Sequence, residues 1–341
     1  MNTRLSDWIT HIRSGGPIGR EGARDLLGLL VSGEEDTAVI KNLLLALNER
    51  GFGGDEVLGF AEGLMERAVT VDIERSPVID TCGTGGDGLG TFNISTAAAL
   101  ITAGAGIAVA KHGNRSVSSR SGSADVLEAL GVDIDPGPEG AKQSVEEVGF
   151  GFFFAPRFHP AMKHVAKARR ELGVRTIFNV LGPLVNPAHV RRQVVGVYDD
   201  GLIETCARAL LDMGSEKVMV VRGLDGMDEL SPAAPTLVCH GEAGKGLSRE
   251  TIRPEDAGIA RCDPRDLSGG DAGENARTIE ETLAGRGGPA LEAALLNSGA
   301  SLVVAGRAET LAQGVTLARK SVDTGSAAGI LDALRSRRRP S

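Results

Sequence analysis

Aromatic residues are scarce in this chain of 341 residues, which has one Trp, one Tyr and nine Phe. Proteins that hold single-stranded nucleic acid commonly stack its bases on aromatic rings, so this composition argues against such a role. Basic residues are also in the minority, since 37 Lys and Arg stand against 45 Asp and Glu and leave a formal net charge of -8. We therefore expect no general nucleic-acid binding.

Paired cysteines and long apolar segments are absent as well. The four cysteines are widely spaced and form no C-x-x-C motif, which indicates reduced thiols without a zinc site or a disulfide framework: Cys82, Cys206, Cys239 and Cys262. No apolar run approaches the roughly 18 residues of a membrane-spanning helix, and the N-terminal MNTRLSDW does not resemble a signal peptide. The sequence predicts a cytoplasmic protein with no membrane partner.

The first 72 residues are predicted to be helical, because their apolar residues recur at spacings of three and four. One of these helices, around Leu44 and Leu47, is apolar nearly all round, which fits either contact with a second subunit or packing on the rest of the chain. From Val78 onward, short β-rich segments alternate with helical patterns. This alternation predicts an α/β fold with a mainly parallel central sheet, whose strands include VEEVGFGFFFA, QVVGVYD, EKVMVVRG, PTLVCHG and ASLVVAG.

One segment interrupts the alternation. Residues 159–187 are helical, basic and rich in proline at their end, and we interpret them as the chain returning to the helical block. The sequence then predicts a small, discontinuous, all-helical domain of residues 1–72 joined by about 160–184. Residues 73–159 and 185–341 form a large α/β domain, with residues 241–288 as a surface elaboration of its sheet.

A glycine-rich segment, CGTGGDG, follows the first predicted strand. We call residues 83–90 the glycine loop, and it carries Gly83, Gly85, Gly86 and Gly88. Glycine adopts positive φ without steric cost, so successive N–H groups can face an anion. A helix begins near Asn93, and its free N–H groups also favour a phosphate or pyrophosphate. Asn93, Ser95 and Thr96 equally suit helix capping, and Ser95 is alternatively a ligand of a metal bound with the phosphate.

The glycine loop also matches the dinucleotide-binding motif G-x-G-x-x-G, from Gly83 through Gly85 to Gly88. That motif requires an acidic residue about 20 positions later, at the end of the second strand, to bind a ribose hydroxyl. Here the second strand ends in Lys111 and His112. A cation in place of the carboxylate indicates that this position binds a further phosphate group and not the ribose of an adenosine.

A second polar segment, KHGNRSVSSRSGSAD, lies about 30 residues further along the chain. We call residues 111–123 the basic loop, since Lys111, His112, Arg115 and Arg120 lie among asparagine and serines. Such side chains can surround a phosphate and close over it, although serine-rich turns are often only solvated. Its place beside the glycine loop, at the carboxyl ends of neighbouring strands, favours ligand binding.

Two acidic pairs are candidates for a metal. Asp228 and Glu229, the acid pair, follow the strand VMVV and lie at the same edge of the predicted sheet. Carboxylates suit Mg²⁺, which typically takes one or two of them together with substrate phosphates, while a solvated turn is the alternative. Asp199 and Asp200 precede a helical pattern. They are predicted to interact with the positive end of the helix dipole instead of binding a metal.

Together the motifs CGTGGDG, NIST, KHGNR, SGSAD, RRELGVRTIFNVLGPLVNP and GMDE resemble the anthranilate phosphoribosyltransferase family along nearly the whole chain. The resemblance implies a homodimer through the helical domain, with an active site at the hinge between the two domains. It also implies the second step of tryptophan biosynthesis, in which the phosphoribosyl group of phosphoribosyl pyrophosphate passes to the amine of anthranilate with Mg²⁺ present. A pyrimidine nucleoside phosphorylase and a non-catalytic nucleic-acid-binding relative are the alternatives.

The resemblance also implies site residues. Phosphoribosyl pyrophosphate would be held by Gly83, Gly86, Asp87, Thr91, Asn93, Ser95, Thr96, Lys111, Asn114, Arg115, Ser118, Ser119 and Ser123. Anthranilate would be held by Gly83, Asn114 and Arg169, and Mg²⁺ by Ser95, Asp228 and Glu229. The catalytic set would be Lys111, His112 and Arg169: Lys111 would stabilise the leaving pyrophosphate, and His112 is expected to contact substrate rather than accept the proton.

Overall fold

The computed structural model describes residues 5–116, 120–286 and 288–337. Its α-helices in these ranges are α1 Leu5–Arg13, α2 Gly19–Leu30, α3 Thr37–Arg50, α4 Gly54–Met65, α5 Ile94–Gly104, α6 Ser123–Ala129, α7 Gly137–Val148, α8 Ala155–Phe158, α9 Lys163–Leu172, α10 Ile177–Leu181, α11 Leu202–Asp212, α12 Ala272–Leu283, α13 Pro289–Val304, α14 Leu311–Asp323 and α15 Ser326–Ser336. Helices therefore precede the first strand and follow the last one, as the sequence predicted.

The strands form one sheet in the order β3-β2-β1-β4-β5-β6-β7. Their bounds are β1 Val78–Gly83, β2 Ala108–Gly113, β3 Phe150–Phe154, β4 Arg192–Gly196, β5 Lys217–Gly223, β6 Thr236–Glu242 and β7 Gly246–Ile252. β1 to β5 pair in parallel, which confirms the mainly parallel α/β prediction, whereas β6 and β7 are antiparallel. The chain leaves β1 towards β2 and returns on its other side as β4. The crevice between β1 and β4 is therefore where a ligand is expected.

Three local predictions were wrong. The segment ASLVVAG lies within and just after α13, because a helix buried on nearly all sides has no amphipathic period that separates it from a strand. VEEV belongs to α7, which ends at Gly149 with φ 89° before β3 begins. Residues 241–288 are more than surface elaboration, since they supply β7 and also α12, whose Ile279 is fully buried in the main core.

The helices α1 to α4 pack with α9 and α10 around one apolar cluster. Leu26 and Leu44 share this cluster with Val165, and the rings of Phe60 and Phe178 meet edge to face at 6.3 Å. Residues 160–184 therefore do return to the helical block. The same cluster continues through α11 to one face of the sheet, and the division into two domains stays a prediction.

All four cysteines are unpaired, as predicted. Cys82 is buried at the end of β1, and burial raises the pKa of its thiol well above the ordinary value. A thiol in that state is a poor nucleophile, which supports a packing role. In the described parts of the chain, no helix combines the length and the apolar character needed to cross a membrane.

Candidate active site

Two glycines let the acid pair reach the crevice between β1 and β4. Gly83 ends β1, Gly196 ends β4, and the two residues are register partners. A β-carbon at Gly83 would lie 2.3 Å from Asp228 Oδ2, and one at Gly196 would lie 1.5 Å from the Asp228 backbone oxygen. The loop after β5 therefore lies directly over the carboxyl ends of both strands. Sequence reasoning named Gly83 but missed Gly196, whose close approach to a distant loop leaves no sequence signal.

The acid pair lies against both phosphate-binding elements. Asp228 Oδ2 accepts a hydrogen bond of 2.7 Å from the N–H of Gly85, and the backbone of Ser95, in the first turn of α5, lowers the pKa of Glu229. Burial raises the pKa of both carboxyls, and the neighbouring acidic charge raises them further. Ionisation of both carboxyls is therefore unfavourable unless a bound cation balances their charge.

Asp87 adds a third carboxyl to this edge of the sheet. Its Oδ2 is buried without a donor in hydrogen-bond distance, and its charge raises the pKa of Asp228. Buried oxygens of this kind fit a divalent cation such as Mg²⁺. Among the residues that the structure describes, no three acidic, His or Cys side chains are arranged to hold a metal by themselves. Substrate phosphates would therefore have to complete the coordination, which is the usual pattern for Mg²⁺.

The glycine loop has the backbone conformation that its sequence predicts. Gly85, Gly86, Gly88 and Gly90 have φ of 66°, 77°, 79° and 65°. Gly83 is the exception, because it has no positive φ and is required instead by the close approach of Asp228. The loop leads through Thr91, which forms a bridge with Ser268, to the first turn of α5. These conformations are open to glycine and strained for other residues. A backbone that exposes successive N–H groups to an anion is therefore available at the end of β1.

Asn93 and Thr96 occupy the start of α5 without capping it through their side chains. Asn93 Nδ2 donates to the Ser121 oxygen at 3.1 Å, and its Oδ1 accepts from Asn275 at 2.9 Å. Asn93 therefore ties the glycine loop to the basic loop and to α12. The Thr96 hydroxyl is buried and has no hydrogen-bond partner, so the first turn of α5 keeps an unused polar group.

Lys111 lies between the two loops. Its side chain is 1% exposed, and its ammonium donates to the Thr81 oxygen at 2.7 Å and to Ser95 Oγ at 3.3 Å. The Lys111 charge lowers the pKa of both Asp80 and Glu229, against the larger effect of burial. The structure thus brings Ser95, Lys111 and the acid pair together, as the sequence predicted.

The basic loop is only partly described, and Ser118 and Ser119 lie outside the described residues. Asn114 is exposed, and its backbone oxygen accepts from Ser123 Oγ at 3.4 Å. The Arg115 guanidinium forms ion pairs with Asp125 at 3.1 Å and with Glu128 at 2.8 Å. It would have to leave these acids before it could bind a phosphate through its side chain.

Two buried histidines meet below the basic loop. The rings of His112 and His159 are 5.2 Å apart at an angle of 62°. His112 Nδ1 lies 3.1 Å from the Gly182 oxygen, and His159 Nε2 lies 2.9 Å from the Val185 oxygen. The second ring nitrogen of each is buried without a partner. Burial lowers the pKa to about 3 for His112 and about 4 for His159, so both are neutral near pH 7. Sequence reasoning missed His159, although it begins the segment 159–187 that interrupts the strand–helix alternation.

These depressed pKa values predict a loss of stability in mild acid. Below about pH 6.5 the unfolded chain binds a proton on each histidine, whereas folded His112 does so only near its pKa of about 3. The free energy of unfolding therefore falls by up to ~1.4 kcal/mol per pH unit for each such group. Between pH 7 and 5, urea unfolding should show wild type losing about 2 kcal/mol more than His112→Gln. His11→Gln, at an exposed position, is the control, and equal losses in wild type and His112→Gln would contradict the assignment.

Arg169 is a cation without an anionic partner. Its guanidinium lies 5.3 Å from the centroid of the Phe178 ring, and burial lowers its pKa. In the described parts of the chain the Arg169 guanidinium makes no hydrogen bond or ion pair. The neighbouring Arg170, by contrast, is exposed on α9. An unpaired, half-buried guanidinium suits a planar carboxylate. This environment separates Arg169 from an ordinary arginine on a helix surface.

Known proteins resemble this chain in both sequence and fold. A family model described as "Glycosyl transferase family, a/b domain" matches residues 75–328. An anthranilate phosphoribosyltransferase of Thermomicrobium roseum is 49% identical over 316 residues, which are 92% of this chain and 91% of that protein. The crystal structure of anthranilate phosphoribosyltransferase from Thermus thermophilus is 42% identical with a TM-score of 0.89, and the match covers 96% of this chain and 98% of that one. The chain belongs to the anthranilate phosphoribosyltransferase family.

Members of the family are pentosyltransferases of tryptophan biosynthesis. The enzyme of this family from Saccharomyces cerevisiae has been solved with PRPP (phosphoribosyl pyrophosphate) and Mg, at 27% identity and a TM-score of 0.89, with 97% of each chain covered. A second structure of that enzyme holds 4-fluoroanthranilate, at 26% identity and a TM-score of 0.88, again with 97% of each chain covered. One enzyme of the family has therefore been solved both with PRPP and with an analogue of anthranilate.

Proposed function

We propose that this chain transfers the phosphoribosyl group of phosphoribosyl pyrophosphate to the amine of anthranilate and releases pyrophosphate. The observation that carries the proposal is the contact of Asp228 with the glycine loop, beside the buried Lys111 that donates to Ser95. These groups lie at the carboxyl ends of β1 and β4, the two neighbouring strands at which the order of strands along the sheet reverses. The site therefore combines backbone donors, a cation and carboxyls, which together suit a metal-bound diphosphate.

The chain's own groups would bind the phosphoribosyl pyrophosphate in two parts. The N–H groups of the glycine loop and of the first turn of α5, with Ser95 and Thr96, face the diphosphate side. Asn93, Thr91 and the basic loop residues Asn114, Arg115, Ser118, Ser119 and Ser123 complete the proposed site. Ser95, Asp228 and Glu229 would hold Mg²⁺, which would supply positive charge to the leaving diphosphate.

Departure of the diphosphate breaks its bond to ribose C1, the anthranilate nitrogen forms the new bond there, and that nitrogen then releases one proton to solvent. Negative charge grows on the leaving group, so Lys111 and the loop N–H groups stabilise the transition state more than the bound substrate. The aromatic amine is already neutral near pH 7, and its attack needs positioning more than a general base. Arg169 would hold the carboxylate, with Gly83 and Asn114 beside it, and neutral His112 would contact the ring.

A choice of substrates tests the proposed reaction against the phosphorylase alternative. The purified chain is given phosphoribosyl pyrophosphate with anthranilate and, separately, inorganic phosphate with a pyrimidine nucleoside. We expect phosphoribosylanthranilate and pyrophosphate from the first mixture only. A chain that cleaves the nucleoside with phosphate, and shows no transfer to anthranilate, would instead be a phosphorylase.

Arg169→Ala is expected to raise the KM for anthranilate about tenfold while kcat changes little, because binding of the carboxylate is lost before the bond-forming step. Steady-state kinetics at saturating phosphoribosyl pyrophosphate measure this. Arg170→Ala removes the exposed neighbour on α9 and should leave both constants within about twofold. A raised KM for phosphoribosyl pyrophosphate instead would mean that Arg169 serves the other substrate.

The homodimer is proposed to form through the helical block. Trp8 and Ile9 on α1 and Val39 on α3 are half-buried apolar side chains of helices that pack on each other. Covering such residues would remove apolar area from water. Sedimentation at micromolar concentrations should give the mass of two chains, and Ile9→Glu should shift it to one. The absence of nucleic-acid and membrane partners and the cytoplasmic location stay predictions.

A further inference from the structure

We propose that Arg175 is a positioning residue that holds the glycine loop in its phosphate-binding conformation and links it to the helical block. Arg175 lies in the connection between α9 and α10, and the sequence assigned it no role. Its effect on substrate kinetics rests on the proposed function. Its effect on the loop does not.

Arg175 contacts the glycine loop and the end of β4 at the same time. Its Nη1 donates to the Gly86 oxygen at 3.0 Å. The guanidinium carbon lies 4.2 Å from the centroid of Tyr198, which is the only tyrosine in the chain. Tyr198 in turn donates its N–H to Thr84 Oγ1 at 3.2 Å. One planar cation thus joins the loop to the ring of a tyrosine whose backbone is itself bound to Thr84 of the loop.

The Gly86 contact matters because of the polarity of peptide groups. A loop that presents N–H groups to a diphosphate must direct its carbonyl oxygens elsewhere, since an oxygen facing the anion would repel it. Arg175 gives the Gly86 oxygen a charged hydrogen-bond donor, which holds this oxygen away from the proposed position of the diphosphate. Asp228 holds the Gly85 N–H at 2.7 Å, so two charged side chains hold adjacent residues of the loop.

The main chain of Arg175 belongs to the helical block. Asn48 Nδ2, on α3, donates to the Arg175 oxygen at 2.6 Å. The side chain therefore reaches from the helices to the edge of the sheet. A shift of the helical block would move the guanidinium away from Gly86, so the arrangement couples the position of the helices to the shape of the glycine loop. Arg169, which is proposed to bind anthranilate, lies six residues earlier on the same connected segment.

Kinetics of five variants test this inference. Arg175→Ala should raise the KM for phosphoribosyl pyrophosphate at least fivefold while the KM for anthranilate stays within twofold. Tyr198→Leu should act in the same direction, and Tyr198→Phe, which keeps the ring, should remain near wild type. The double variant Arg175→Ala with Tyr198→Leu should be no worse than Arg175→Ala alone, since both remove one interaction. Arg307→Ala, at an exposed arginine beyond α13, is the control.

Hydrogen exchange gives a readout that does not depend on the reaction. The amides of residues 84–90 should exchange several-fold faster in Arg175→Ala, with the strands of the sheet unchanged. Equal increases in both KM values, or unchanged exchange in the loop, would overturn the inference. If the wild-type chain makes no phosphoribosylanthranilate, the proposed function fails, while exchange in the loop and calorimetric binding of phosphoribosyl pyrophosphate with Mg²⁺ still decide the role of Arg175.

Discussion

Replacing Asp228 by Asn is expected to lower kcat about 100-fold and to raise the Mg²⁺ concentration that gives half-maximal rate. The substitution keeps the shape of the side chain and its acceptor for the Gly85 N–H. It removes one of the charges that would hold the metal beside the diphosphate, and loss of metal support commonly costs ~10–100-fold or more. Rates measured across a magnesium titration, at saturating concentrations of both organic substrates, separate the two effects.

The second acidic pair supplies a matched control. Asp200 is largely exposed, and its carboxylate pairs with Arg222 at 2.6 Å. Asp200→Asn makes the same chemical change outside the crevice and should leave both the rate and the magnesium requirement unchanged. Were Asp228→Asn to keep the magnesium dependence of wild type while Asp200→Asn lost it, the metal would belong to the pair that sequence analysis set aside.

Lys111→Met is expected to lower both stability and activity. Lys111 is buried beside two acids whose pKa its charge lowers. Removing one partner of a buried charged cluster typically costs about 3–5 kcal/mol, because the remaining charge is left uncompensated. Turnover should fall at least ~100-fold, since the developing charge of the leaving group loses its nearest cation.

The loss of stability in Lys111→Met should depend on pH with a definite sign. Without the ammonium, the pKa values of Asp80 and Glu229 in the folded protein rise further above those of the unfolded chain. A group whose pKa is raised by folding contributes stability at low pH and loses it as the pH rises. Urea unfolding should therefore show a larger deficit at pH 8.5 than at pH 6. Lys217→Met, at a part-buried lysine at the start of β5 that donates to the Val303 oxygen, is the control and should lack this trend. A deficit that shrinks as pH rises would contradict the account.

Local features of the chain allowed much of the site to be predicted. The glycine loop was recognisable because glycine is required at its positive φ angles, and all four named glycines lie at the end of β1 as expected. Lys111 lies near the end of β2 and the acid pair lies in the loop after β5, so the edge of the sheet that they occupy could be inferred from order alone. These predictions depend on residues close in sequence.

Contacts between distant segments could not be predicted in the same way. Gly196 matters because the backbone at Asp228 crosses it, and Arg175 matters because Gly86 and Tyr198 lie beside it. The ion pairs of Arg115 depend on where α6 begins. The segment ASLVVAG was taken for a strand because α13 is buried on nearly all sides, which removes the period that identifies a helix.

A single-turnover measurement tests the central claim most directly. The chain, in excess over phosphoribosyl pyrophosphate, is mixed with anthranilate with and without Mg²⁺, and phosphoribosylanthranilate is followed by its fluorescence while pyrophosphate is quantified. We predict one pyrophosphate for each phosphoribosylanthranilate, with a rate that falls at least tenfold when Mg²⁺ is removed. No phosphoribosylanthranilate at saturating anthranilate, or a rate that does not change when Mg²⁺ is removed, would contradict the account.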